Sequence, residues 1–206
     1  MLRLYAIPFS TNVERILLAA GHKGIELDVV EVDAGDRGEV EAISGQRLVP
    51  VLVEEDGSVL ADSPAILRRL EELQPEPRLF PADPARRAEL ETFVDWFNRV
   101  WKRPPNELAA ALEEGTLDQA REAELAAELR AALDRFEALL AGRDYLFGEF
   151  SAADCTAFPF LKYAVLGLPD GDEEVFHRVL VDYQPLGDTH PRLEAWVRRV
   201  DALPRG

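Results

Sequence analysis

Residues 48–67 read Leu-Val-Pro-Val-Leu-Val-Glu-Glu-Asp-Gly-Ser-Val-Leu-Ala-Asp-Ser-Pro-Ala-Ile-Leu, and they leave the chain few ways to fold. Val49 to Val53 is an apolar, β-branched run, and Val59 to Ala61 is a second, shorter one. Between them Glu55-Asp56-Gly57-Ser58 carries the Asp-Gly pair of a tight turn, so the two runs read as a β-hairpin. Ser63-Pro64 then opens a helix: serine is a favoured N-cap, and proline loses nothing at a first position whose N–H is unpaired anyway. Ile66, Leu67, Leu70 and Leu73 follow with helical spacing and predict one buried face. Two features exceed what a plain hairpin and helix need. Pro50 removes a ladder donor, which confines it to a strand start or a special turn, and a cis Val49–Pro50 bond is expected there. Asp62-Ser63 stands where a helix N-terminus presents free N–H groups, a place suited to a carboxylate ligand.

The chain before this block reads as strand, turn, helix, strand. Leu2 to Ala6 is the first strand, and Ile7-Pro8-Phe9-Ser10-Thr11 is a turn. Asn12 to Ala20 is a helix with Val13, Ile16, Leu17 and Ala20 on one face, ended by Gly21 and Gly24. Ile25 to Val32 is a second strand, and a short helix falls within Arg37 to Ile43. The order βαβαββα suits a mixed four-strand sheet covered by helices. Gln74-Pro-Glu-Pro-Arg-Leu-Phe-Pro81 is a proline-rich linker and marks a domain boundary.

Beyond Asp83 only helices are expected. Ala85 to Lys102 is long and amphipathic, Pro104-Pro105 breaks it, and Glu107 to Glu114 adds a short segment. Ala120 to Ala141 follows, with Leu125, Leu129, Leu133, Phe136 and Leu140 facing inward. Ser151 with Asp154 makes a capping box at the head of a buried helix running to about Leu166, with Phe150 and Cys155 as its apolar staple. Val175 to Val181 and the segment from His190 to Pro204 complete the chain.

Charge and composition exclude several functions. A net charge of −16 argues against nucleic acid or an anionic membrane as partner, and it obliges any anionic ligand to be captured by local groups. No run approaches the roughly 18 apolar residues of a membrane span, and the N-terminus lacks a signal-peptide layout. Cys155 is the only cysteine, so an internal disulfide, a CxxC pair and a thiolate metal cluster are out. His22, His177 and His190 lack metal-ligand spacing, so no metal is expected. A reducing cytoplasm is the expected location.

Val49-Pro50, the Asp-Gly hairpin and Asp62-Ser63-x-Ala65-Ile66 together resemble the glutathione transferase family, and the likeness extends over nearly the whole chain. The resemblance implies an α/β thioredoxin-like N-terminal domain (βαβαββα) over residues 1–76, a linker over 77–83, and an all-α C-terminal helical domain over 84–206. It implies glutathione as co-substrate with no other cofactor, a small, hydrophobic electrophile as second substrate, a role in detoxification, and a homodimer. The reactive group of such a fold lies in the first strand-to-helix turn. There the Ser-x-x-x-x-Arg spacing of Ser10 and Arg15 resembles the serine-type branch.

Ser10 is not itself a nucleophile, since no His/Asp arrangement activates it. Its expected task is to donate a hydrogen bond to the thiolate of the bound peptide, with the helix N-terminus adding its positive dipole end. Lowering a thiol pKa by about 2 units needs roughly 2.7 kcal/mol. One charge-assisted hydrogen bond of about 1.5–3 kcal/mol, with the dipole, is of that size. Tyr5 is the rival for this role, Thr11 and Asn12 are secondary candidates, and Arg15 reads as a structural ion-pair partner.

By the same resemblance Val49 offers its backbone to the cysteinyl moiety, held in place by Pro50. Asp62 and Ser63 hold the γ-glutamyl end, and Gln46 or Arg47 reaches the glycine carboxylate, where the family's more usual Lys or His is absent. Phe97, Trp101, Phe160 and Tyr163 are candidates for contact with the second substrate, and each is equally a candidate core residue. Two other readings stay open: a non-catalytic thiol-peptide-binding or protein-interaction scaffold, and a thiol-disulfide reductase, which Ser rather than Cys at position 10 disfavours. The residues do not distinguish glutathione from another small thiol.

Overall fold

In the computed structural model, which describes residues 1–206, strand β1 (Leu2–Ala6) lies between two neighbours of opposite sense. On one side β2 (Leu27–Glu31) runs parallel to it; on the other β3 (Val51–Val53) runs antiparallel and is followed by antiparallel β4 (Val59–Leu60). The order β2-β1-β3-β4 is the expected mixed four-strand sheet. The register pairs Leu4 with Leu52 and Tyr5 with Val51. Because side chains alternate along a strand, Tyr5 and Val51 share one face. They cluster there with Val32 and Val40, flanked by Ile7, Val30, Ile43, Val49 and Val53. Leu4 and Leu52, both fully buried, turn to the other face.

Three helices complete this unit: α1 (Thr11–Lys23), α2 (Gly38–Ser44) and α3 (Ser63–Leu73), of which α1 and α3 pack together. Helix α1 outruns the expected end at Ala20. It passes through Gly21 and stops at Gly24, whose φ of 66° is left-handed and whose N–H returns to Ala20 and Gly21 carbonyls. Gly21 serves a different purpose: a Cβ there would meet the Pro204 carbonyl oxygen at 2.2 Å. Residues Leu203–Gly206 accordingly belong to this first unit with Met1–Pro81, although the sequence reading assigns them to the helical domain. The tail is held by Gly206 N–H to Leu17 O (3.0 Å) and by the Arg205–Glu14 ion pair (3.1 Å).

The linker is tied down by one buried cation. Lys23 Nζ donates to the carbonyls of Gln74 (2.6 Å) and Pro77 (2.9 Å) and pairs with Glu71. Glu71 in turn accepts the N–H groups of Leu79 and Phe80.

The second unit, Ala82–Ala202, is helical, and no strand follows β4 beyond an isolated bridge between Phe147 and Glu149. It comprises α4 (Pro84–Trp96), α5 (Arg103–Glu114), α6 (Gln119–Leu139), α7 (Ala152–Leu161), α8 (Tyr163–Leu166), α9 (Val175–Asp182) and α10 (Pro191–Asp201). Pro104-Pro105 marks a helix boundary as expected, with the second helix starting at Arg103, earlier than the expected Glu107. The chain leaves α4 through a π-helical turn, Phe97–Trp101, and both prolines sit in the first turn of α5, where no intrahelical donor is lost. The capping box of Ser151 and Asp154 opens α7 as the sequence requires.

Candidate thiol-binding site

Register alone brings three segments to one end of the sheet. Strand β1 ends at Ala6, β3 begins at Val51 opposite Tyr5, and β4 ends at Leu60 opposite Leu52. The turn leading to Ser10, the Val49-Pro50 pair and the Asp62-Ser63 entry to α3 therefore converge. Two of the three are helix N-termini, which present N–H groups and the positive dipole end.

The turn before α1 is tighter than the sequence indicates. Ser10 N–H bonds to Ile7 O at 3.2 Å, closing a four-residue turn with Pro8 and Phe9 at its centre. Phe9 has a φ of 62° and is the only non-glycine residue with positive φ. Proline followed by a residue with positive φ is the type II pattern, whose second central position normally needs Gly or Asn. A bulky aromatic there is strained, and Phe9 is 39% exposed, so core packing does not hold its ring in place. Ser10 then caps α1, but its Oγ accepts from Val13 N–H at a long 3.4 Å. That bond is at the weak end of the range, and it leaves the hydroxyl proton available to donate.

At the neighbouring corner the expected cap is displaced by one residue. Asp62 occupies the N-cap position of α3, extended at φ −145° and ψ 124°, and its exposed side chain makes no capping bond. Ser63 is the first helical residue and is 6% exposed; its Oγ accepts from Arg15 Nη1 at 3.2 Å. Arg15, 1% exposed, is thus hydrogen-bonded across α1 to α3.

Val49 precedes a cis peptide bond to a buried Pro50. The ladder to β1 starts only at Val51, so the Val49 peptide lies beyond it. Gln46 spends its amide on the same loop, donating to Leu48 O (2.8 Å) and Ser44 Oγ (3.2 Å) and accepting from Leu48 N–H. Arg47 is exposed and paired with Glu41 at 3.0 Å. Gln46 and Arg47 are therefore engaged elsewhere, and neither points to a carboxylate site by its own geometry.

Tyr5 is 5% exposed and packed in the cluster with Val40 and Val51. Arg3, two residues away on the same strand, is held charged first by its hydrogen bond to Asp28 and then by the Tyr5 hydroxyl. A cavity of about 600 Å³ lies at the opposite end of the sheet, lined by Leu2, Lys23, Ile25, Glu54 and Asp56. Its acidic mouth and its distance from both helix N-termini separate it from the candidate site.

A family model described as "Glutathione S-transferase, N-terminal domain" matches residues 4–78, and one described as "Glutathione S-transferase, C-terminal domain" matches residues 59–199. The chain belongs to the glutathione S-transferase family. Among relatives, FtsZ-localized protein A of Caulobacter vibrioides is 30% identical over 176 residues, 77% of this chain and 75% of its own. Glutathione S-transferase GstB of Escherichia coli K12 is 28% identical over 172 residues, 78% of this chain and 82% of its own. A crystal structure of a glutathione S-transferase from Rhodospirillum rubrum F11 superposes with a TM-score of 0.75 at 29% identity, covering 99% of this chain and 89% of that one.

Within this glutathione S-transferase fold the helical-unit candidates are core residues. Phe97 is 0% exposed and stacks on Trp101 at 4.3 Å, with Phe136 and Phe160 edge-on to the pair. Tyr163 is 1% exposed, donates its hydroxyl to Asp172 at 3.1 Å and stacks on His177. Trp101 borders a cavity of about 210 Å³, shared with Trp96, Val100 and Arg135. Packing, rather than contact with a second substrate, accounts for Phe97 and Tyr163. Sequence reasoning missed Phe9, because the type II signature is masked when Phe replaces Gly. It missed the Arg15–Ser63 bond because 48 residues separate the partners.

Proposed function

We propose that the chain is a glutathione transferase that stabilises the thiolate of bound glutathione for attack on a small electrophile. The observation that carries this reading is the convergence of Ser10, Val49-Pro50 and Ser63 at one sheet end in a member of the family. Ser10 Oγ–H donates to the thiolate, and the α1 N-terminus adds its field. The sulfur lone pair forms the new bond to an electrophilic carbon, whose leaving group departs with the bonding pair. The Val49 peptide aligns the cysteinyl backbone, Ser63 and the first N–H groups of α3 meet the γ-glutamyl carboxylate, and Asp62 lies by the ammonium. The working form is a cytoplasmic homodimer, and sedimentation giving a monomer at micromolar concentration counts against that part. Calorimetric titration with glutathione tests binding. The pH–rate profile with 1-chloro-2,4-dinitrobenzene tests catalysis: in Ser10→Ala the apparent thiol pKa rises and turnover falls. An unchanged profile transfers the role to Tyr5, tested by Tyr5→Phe.

A second reading has its own support. The relative named FtsZ-localized protein A bears a name that describes localisation with another protein, not catalysis. A non-catalytic scaffold of the same fold binds glutathione or nothing, and shows no turnover above the uncatalysed rate with any electrophile.

A further inference from the structure

We propose that Arg205 is a positioning residue of the thiol site: it acts through Glu14, neutralising the one acid in the first turn of α1, so that the Ser10 end of that helix keeps its positive field for a thiolate. The inference rests on the reading above that Ser10 and the α1 N-terminus face the sulfur of the bound thiol.

The difficulty that Arg205 removes is set by Glu14. Its N–H bonds to Ser10 O at 3.0 Å, which places it one turn, about 6 Å, from the cap. Side chains on a helix lean toward its N-terminus, so the carboxylate is carried toward Ser10 rather than away. An acid in a first turn is favourable for the helix itself. It is favourable through the same field that a thiolate would use, and two anions at one helix end make each other harder to ionise. The net charge of −16 gives no relief from the rest of the chain.

The segment 203–206, which follows α10, supplies the counter-charge. Arg205 Nη2 meets Glu14 Oε1 at 3.1 Å, and the two side chains are only 27% and 15% exposed, so solvent screens the pair in part. The guanidinium is held from its own backbone, Nη1 donating to Leu203 O at 2.6 Å, while the next residue anchors the segment through Gly206 N–H to Leu17 O at 3.0 Å. Gly21 lets the Pro204 carbonyl reach the helix surface, where a Cβ would stand 2.2 Å from its oxygen. These anchors lower the entropy cost of holding a long side chain in one place, which usually cancels much of the gain of a surface pair. The other charged or titratable groups of the elements meeting at this corner are Arg15, whose Nη1 donates to Ser63 Oγ, Tyr5 on β1, Glu31 at the end of β2 and Asp62 before α3. All of them are common to variants at positions 14 and 205, so their fields cancel in the comparison.

The test titrates the thiol of bound glutathione by its thiolate absorbance in the wild type, Arg205→Gln, Arg205→Lys, Glu14→Gln and the double variant Arg205→Gln/Glu14→Gln. Arg205→Gln should raise the thiol pKa by about 0.5–1. Arg205→Lys keeps the charge and should stay near the wild type. The double variant should return to the wild-type value, which a segment acting through packing alone would not do. If Arg205→Gln does not melt cooperatively, Glu14→Gln decides alone: a lowered thiol pKa supports the proposal, and an unchanged or raised one overturns it. In a folded Arg205→Gln, an unmoved pKa overturns it, as does a double variant shifted as far as the single. A wild type that leaves bound glutathione at the pKa of the free thiol, or does not bind it, overturns the reading of Ser10 and this inference with it. A wild type that lowers the thiol pKa beside an Arg205→Gln that lowers it equally overturns this inference alone.

Discussion

The carboxylate of Asp154 accepts the indole N–H of Trp196 at 2.8 Å, joining α7 to α10 across 42 positions of sequence. The same carboxylate accepts from Leu146 N–H (3.0 Å), Ser151 N–H (2.9 Å) and Ser151 Oγ (3.0 Å), and Asp154 is 0% exposed. The capping box is therefore also a cross-brace, fixing the loop before α7 and the last helix to one point.

Asp154→Ala leaves the three N–H donors buried without an acceptor, at about 1–3 kcal/mol each. Burial pushes the Asp154 carboxyl up to about 6 despite its donors. Removing the charge thus returns about 3 kcal/mol at neutral pH, and the net loss at pH 7 is about 0–6 kcal/mol. The pH dependence has a definite sign. A carboxyl raised in the folded state stabilises the fold fully below its unfolded value of 3.8, and that contribution is lost as pH rises through about 6. The deficit of Asp154→Ala should therefore grow on acidification from pH 6 to 4. Denaturant unfolding across that range measures it, and a constant deficit refutes the assignment.

Gly21→Ala should destabilise, against the usual rule. Alanine in a helix interior normally gains up to about 1 kcal/mol over glycine. Here the new Cβ meets the Pro204 carbonyl oxygen at 2.2 Å, and that atom is backbone. The tail must lift, giving up the Gly206–Leu17 bond and the Arg205–Glu14 pair. A net loss of about 1–2 kcal/mol is expected, with faster amide exchange in residues 203–206. A melting temperature that rises places the tail elsewhere in solution.

What the sequence makes legible follows from how local each signal is. The hairpin is carried by Asp56-Gly57, where Gly57 does adopt a φ of 86° and Asp56 Oδ1 does accept Ser58 N–H. The capping box spans four residues, and the sheet follows from two alternating faces. The errors lie where distant groups decide. The break at Pro104-Pro105 is local and legible, but the next helix starts at Arg103 rather than Glu107, because the π-helical turn before it lets both prolines occupy a first turn. Gly21 reads as a stop because nothing nearby shows that the tail returns to it. The three segments of the candidate site were each visible, but Gln46's engagement with its own loop and Arg15's reach to Ser63 depend on tertiary placement.

His22 supplies a pH effect of opposite sign. It is half-buried in the last turn of α1, and burial lowers its pKa below the ordinary 6.5. The folded state then binds this proton less well than the unfolded chain. Its contribution is complete above about 6.5 and falls as pH drops through the folded value. His22→Gln should remove that slope. Unfolding free energies from pH 7.5 to 5 should show the wild type losing stability relative to the variant, and parallel curves exclude the role.

Ser10→Cys tests the geometry of the site most directly. The substitution places a thiol at the N-terminus of α1, where the helix field lowers its pKa. Glutathione disulfide bound beside it presents a sulfur within reach. The introduced thiolate attacks that sulfur, the disulfide bond breaks, and one glutathione thiolate leaves while the other half stays as a mixed disulfide. Conjugation of an aryl halide should fall, since the hydroxyl that donates to the thiolate is gone, and thiol-transfer activity should appear. Cys155 is 0% exposed within α7 and should stay unmodified in the same sample, serving as an internal control. Mass mapping decides the matter: an adduct confined to the introduced cysteine supports Ser10 as the thiol-facing residue. An adduct absent from it, or shared equally with Cys155, removes Ser10 from that position.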